Sequence, residues 1–160
     1  METDHVDQLL GQWARQRPDL DCSPMGVFGR VARMAAIAGR EINDELKECG
    51  LLGSDFDILA TLRRADEPLT PTALYQSAML TSGAMTARLD KLAERGLIER
   101  QAAPSDRRSL LVCLTAEGRE LIDVAVARHV ANERRLLAPL SEGEQVQLAA
   151  LLKRWLLENE

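Results

Sequence analysis

The chain has 160 residues, enough for one domain with a real core and too few for two comfortable ones. A hydrophobic content of 46% and a charged content of 28% are ordinary for a globular protein. No apolar run approaches the length of a membrane span, so no membrane role is expected. The net charge of −5 argues against a protein that coats nucleic acid everywhere, but not against a sequence-specific binder, whose contact face matters more than its total charge.

The N-terminus, METDHVDQ, is acidic and polar and shows no export signal, so a cytoplasmic location is expected. Cys22, Cys49 and Cys113 are isolated from one another and odd in number, which suits a reducing compartment. With only His5 and His129 besides, there is no metal-ligand spacing. Clustered carboxylates, a phosphate loop and a nucleophile–base pairing are also missing, so neither an enzyme nor a cofactor is expected.

Val6, Leu9, Leu10 and Trp13 share one face of a short first helix that Pro18 closes. Ser23 and Pro24 read as the cap and first position of a second helix, which runs to about Glu48 with an apolar stripe from Val27 to Leu46. Gly29 and Gly39 interrupt that stripe and suggest close approach of another helix. Gly50 ends it. Ser54 and Asp57 fit a capping box for a third helix, whose inner side is Phe56, Leu59, Ala60 and Leu62.

Thr70 and Pro71 start a short fourth helix, on which Thr72 and Gln76 are candidates for DNA backbone contacts. Thr81 and Ser82 offer caps for a fifth. There Met85, Leu89 and Leu92, spaced by four and three, give one buried stripe. Gly96 ends that helix. Leu97 to Arg100 and Ser109 to Leu114 read as two strands around a polar tip, 101–108. Thr115 begins a long helix that carries Leu121, Ile122, Val124, Ala125 and Val130 and is broken by Pro139. Ser141 with Glu144 then caps a final helix rich in leucine, with Trp155 near its end.

The resulting fold class is mostly α with a small β-hairpin wing: a winged helix-turn-helix over residues 54–114, with dimerisation helices at 1–48 and 115–160, all in a single domain of 1–160. The terminal helices carry more apolar surface than the central module can cover. A homodimer is the simplest way to bury it, and two-fold symmetry would present two reading helices one turn of DNA apart.

With the stripe facing inward, the fifth helix exposes Ser82, Gly83, Thr86 and Ala87, with Arg88 and Lys91 on the flanks. Small residues let the backbone approach double-stranded DNA, hydroxyls bond phosphate or base, and Arg88 can reach guanine or phosphate. Thr81 and the free amides of the first turn suit a phosphate, although capping explains that residue as well. From Arg88 to Arg108 there are six basic residues against four acidic ones, a local excess of two in an acidic chain. Arg107 and Arg108 lie where the hairpin tip carries them. One suits the minor groove. The other can bond Asp106 or Asp90 and so support the wing. A winged-helix protein-interaction module without DNA binding remains the alternative. It would have no need of these basic side chains.

The string LTSGAMTARLDKLAERGLIERQAAPSDRRSLLVCLTAEG resembles the MarR family of transcriptional regulators, with GLIER, DRR and LTAEG in that order. The resemblance spans essentially the whole chain. It implies a winged-helix homodimer that binds an inverted repeat, usually as a repressor, and whose DNA affinity falls when a small aromatic or anionic effector binds. It also implies reading contacts at Ser82, Thr86 and Arg88 and wing contacts at Asp106, Arg107 and Arg108. Many relatives have a basic or amide side chain where Ala87 stands. The N-terminal stretch QWARQRPDLDCSPMGVFGR is similar to a subgroup that includes urate-responsive regulators with an added first helix. That likeness implies effector contacts at Trp13, Asp57 and Arg64, and the phenolic-acid regulators add Arg15. Trp13 also reads as part of an apolar face, and Asp57 as a cap partner.

Overall fold

The computed structural model describes residues 2–77, 82–103 and 106–160, with side chains outside 77, 82–84, 103 and 106–109. The expectations for Thr81, for positions 104–105 of the hairpin tip, for the exposure of Gly83, and for the side chains of Ser82, Asp106, Arg107 and Arg108 therefore lie outside the described residues. Among the described residues there are seven helices and one two-stranded antiparallel sheet: α1 (His5–Gln16), α2 (Ser23–Glu48), α3 (Gly53–Ala65), α4 (Pro71–Ser77), α5 (Ser82–Glu94), β1 (Ile98–Ala103), β2 (Asp106–Leu114), α6 (Ala116–Leu137) and α7 (Glu142–Leu157). The mostly helical fold with a β-hairpin wing is the one expected. The chain divides into two compact units, residues 1–41 and 42–160.

In the first unit, α1 is capped by Asp4. Its carboxylate accepts the Asp7 amide at 2.8 Å, while Asp7 accepts the Asp4 amide at 3.0 Å. Arg30 on α2 bridges the same two carboxylates at 2.8 and 2.7 Å. The Asp7 amide and this guanidinium hold the Asp4 carboxyl below its ordinary pKa. Val6 is buried where α1 meets Gly29, at which an added Cβ would stand 3.2 Å from Val6. The expected close approach is therefore real at Gly29. At Gly39 an added Cβ would meet nothing within 4 Å. Ser23 is not a cap: it lies in the first turn of α2, and its amide and hydroxyl both donate to Asp21.

The second unit holds the core. Ile58, Leu59 and Leu62 of α3, Leu74 of α4, the Met85–Leu89–Leu92 stripe of α5, Ile98 and Val112 of the hairpin, and Ile122 and Ala125 of α6 are all buried together. Each large aliphatic side chain among them contributes about 1.5–3 kcal/mol. Thr70 accepts the Ala73 amide at 3.1 Å and caps α4 as expected. Ser141 and Glu144 form their reciprocal box.

The start of α3 differs from the sequence reading. Gly50 ends α2 with φ +69°, and Leu51 donates back to the Leu46 carbonyl at 2.9 Å. Burial of both Leu46 and Leu51 fixes that reversal. The helix therefore begins at Gly53 with Leu52 rather than Ser54 at the cap position, two residues earlier, and the carboxylate that accepts the Leu52 amide at 3.2 Å belongs to Asp55, not Asp57. On α6, Val124 and Val130 are exposed, and no residue of α7 is buried.

Candidate nucleic-acid interface

The α5 surface is set by its stripe. Met85, Leu89 and Leu92 point into the core, so Thr86, Ala87, Asp90 and Lys91 are exposed on the far side. Gly96, with φ +70°, ends the helix. Leu97 donates to the Leu92 carbonyl at 3.0 Å, and both leucines are buried at that turn. This places β1 directly after the helix. Thr72 and Gln76 on α4 are exposed as well.

The hairpin is longer than expected. Pairing runs in register from Ile98–Leu114 to Ala102–Leu110, shifts there, and ends at Ala103–Asp106. Gln101 to Ala103 and Asp106 to Arg108 therefore belong to strands, not to a loose tip. Gln101 and Ala102 are exposed, and a ribbon whose faces meet water leaves no apolar alternation to mark its strands. A short bridge ties the wing down: Leu69 and Val112 exchange backbone hydrogen bonds at 3.0 and 2.8 Å.

Asp90 does link α5 to the wing, but to a partner the sequence did not suggest. Its carboxylate accepts from Arg100 on β1 at 2.6 Å. Both groups are at least a third exposed, so the pair sets orientation more than stability. Arg88 is only partly exposed and does not stand on the outer face with Lys91. Its Nη1 lies 3.7 Å from Asp55, a buried carboxylate on α3.

The proposed effector residues fall in different units. Trp13 and Arg15 are exposed on α1 in the first. Asp57 and Arg64 lie two turns apart on α3 in the second, where Arg64 donates to Thr61 at 3.0 Å. Loss of surrounding water raises the Asp57 carboxyl above its ordinary pKa, with Arg64 and His129 pulling the other way. His129 was not legible as a neighbour. Its ring packs 4.9 Å from Phe56, its Nε2 pairs with Glu133 at 3.2 Å, and its Nδ1 is buried with no hydrogen-bond partner among the described residues.

Cys22, Cys49 and Cys113 are free thiols. Burial and Glu99 push the Cys113 thiol up, away from the reactive thiolate. No group of metal-binding side chains occurs among the described residues, and no described helix is long and apolar enough to cross a membrane.

Residues 50–109, which hold α3 to the wing, match the model of the MarR family. The chain is 40% identical over 151 residues to the HTH-type transcriptional regulator PecS of Dickeya dadantii, covering 93% of this chain and 91% of that one. Wild-type MarR from E. coli in its apo form superposes with a TM-score of 0.69 at 28% identity, over 80% of this chain and 96% of that one. A cysteine-to-serine mutant of E. coli MarR complexed with operator DNA shares the fold, with a TM-score of 0.72 at 24% identity over 96% and 99% of the two chains. With a winged helix-turn-helix of this geometry, a match to the MarR family model and 40% identity to a transcriptional regulator over nearly its whole length, the chain belongs to the MarR family of transcriptional regulators.

Proposed function

We propose that this protein is a cytoplasmic repressor that binds an inverted-repeat operator in double-stranded DNA as a homodimer and releases it when a small aromatic or anionic effector binds. The observation that carries the DNA reading is the outer face of α5. Thr86, Ala87 and Lys91 stand exposed, opposite a fully buried stripe and beside a wing tethered to the same helix through Asp90 and Arg100. Thr86 and Lys91 are assigned to base edges and phosphates, Thr81 and Ser82 to phosphate at the start of the helix, and Arg107 and Arg108 to the groove beside it. Asp90 supports the wing through Arg100, and Asp106 is assigned the same duty at its far end. That a MarR mutant of the same fold was solved with operator DNA supports this reading. A protein-interaction module would not need the basic residues Lys91, Arg107 and Arg108.

The dimer rests on exposed apolar surface. In the second unit, Val146, Leu151, Leu152 and Leu157 of α7 face water, and in the first unit Val27, Val31 and Met34 of α2 do so. Patches of that kind mark a partner surface. The effector reading rests on the chemistry of Trp13, Arg15, Asp57 and Arg64, since an indole and a guanidinium suit a flat anion. Control then requires different effector affinities for the DNA-competent and DNA-incompetent arrangements.

Selection of duplexes from a random-sequence library tests the proposal. The expected product is an inverted repeat with half-sites about 10 base pairs apart, centre to centre, retained by a species of twice the 17.7 kDa chain mass. Urate or salicylate is expected to displace the selected duplex. A single-chain mass with no enriched duplex contradicts the DNA reading. Displacement by neither compound contradicts the effector assignment alone.

A further inference from the structure

Asp55 is 5% exposed and sits at the first turn of α3, facing α5. One carboxylate oxygen accepts the Leu52 amide and so has a local, structural use. The other, Oδ1, is buried and has no hydrogen-bond partner among the described residues. A buried charged oxygen left without a hydrogen bond is costly, and it persists only where something nearby compensates. The compensating group is Arg88 of α5, whose Nη1 stands 3.7 Å away, within reach for charge attraction but beyond a hydrogen bond. The Arg88 side chain is itself only 28% exposed. Solvent therefore screens this pair much less than it screens Asp90 with Arg100 on the other side of the same helix.

We propose that Asp55 is a positioning residue for the DNA-reading helix: through Arg88 it holds α5 against α3, and Arg88 acts on DNA affinity by placing that helix rather than by touching phosphate or base. The inference rests on α5 being the reading helix and assigns a different task to its most central arginine. Two ties then fix α5 from opposite sides. Asp55–Arg88 anchors it to α3, and Asp90–Arg100 anchors it to the wing. A helix that must fit a groove gains from such anchoring, because small misplacements at a recognition surface weaken several interactions at once. An amide oxygen can also accept the Leu52 amide, though more weakly than a carboxylate does, so that bond leaves the burial of the second oxygen, Oδ1, without a capping explanation.

The sign of one substitution separates this role from simple electrostatics. Asp55→Asn keeps an acceptor for the Leu52 amide but removes a negative charge near the DNA face and turns a donor toward Arg88. If Arg88 contacts DNA, or if only total charge matters, Asp55→Asn strengthens binding. As a positioning residue, Asp55 predicts the reverse: affinity for the duplex selected by the unaltered protein falls about tenfold, on the scale of a single mismatched base pair. Arg88→Gln, at a partly exposed position, gives a similar loss. The double variant binds no more weakly than Asp55→Asn alone, as expected for two members of one unit.

Salt dependence gives the second readout. Removing one cation that neutralises a phosphate lowers the slope of log affinity against log salt by about 0.9, so Arg88→Gln leaves that slope unchanged if Arg88 touches no phosphate. Binding of Asp55→Asn that is equal or tighter, or a reduced slope for Arg88→Gln, overturns the proposal while leaving the DNA reading intact. If the unaltered protein retains no duplex, both fall. Circular dichroism at the assay temperature confirms that each variant is folded, and should Asp55→Asn not fold, the slope for Arg88→Gln decides alone.

Discussion

Gly118→Ala is expected to destabilise the protein by about 3 kcal/mol, the upper end of the usual overpacking cost, and to lower the melting temperature by roughly 10 °C for a chain of this size. An added Cβ would overlap the Leu97 carbonyl oxygen and stand 2.8 Å from its carbonyl carbon. Neither atom can swing away, because both are backbone. The site is also where α6 docks on the base of the wing: Thr115 donates its amide to the Leu97 carbonyl at 3.2 Å and its hydroxyl to the Gly96 carbonyl at 2.7 Å, while accepting the Gly118 amide at 3.0 Å. Alanine gains up to about 1 kcal/mol of helix propensity over glycine, which does not offset the overlap. Gly143 on α7, where an added Cβ meets nothing within 4 Å, supplies the control. Its replacement by alanine should be neutral or stabilising by about 0.5 kcal/mol. Thermal or urea unfolding of both variants checks the pair, and equal stability would mean that α6 does not sit so close to Leu97.

The largest effect on DNA binding is expected from joint replacement of Arg107 and Arg108 by alanine. Each charge-assisted bond to a phosphate or base edge is worth about 1.5–3 kcal/mol, so the double change should weaken binding by about 100-fold or more. Stability should shift by no more than about 0.5 kcal/mol, as for surface substitutions generally. Anisotropy of a labelled selected duplex, together with unfolding curves, separates the two effects. Unchanged affinity would remove the wing from recognition.

What was legible in the sequence was whatever local spacing dictates. Met85, Leu89 and Leu92 announce a helix with one buried face, and all three are buried. Thr70 before Pro71 and Ser141 before Glu144 announce helix starts, and both cap as expected. The errors arise where two local patterns compete and a distant contact decides. Ser54 with Asp57 fits a capping box as well as any pair, but burial of Leu51 sets the turn two residues earlier and gives the role to Asp55. The same shift brings Asp55 opposite Arg88, so the central arginine of α5 meets a buried carboxylate that helical spacing alone does not foresee. Arg100 with Asp90, and Phe56 with His129, are likewise products of chain reversal or of packing between distant helices. Nothing local marks Gln101 to Ala103 as strand, because a solvated ribbon imposes no apolar period.

The central claim is that α5 and the wing form a charged surface for duplex DNA. The most direct measurement is fluorescence anisotropy of a labelled duplex across a salt series from 50 to 200 mM (about the range over which six to ten phosphate contacts cost 10³–10⁵ in affinity). Strong binding at low salt that falls along a straight, steep line in log–log form, and a shallower line after Lys91→Ala, is the predicted result. An anisotropy that stays at the value of free duplex at the lowest salt, with the protein folded, would contradict it.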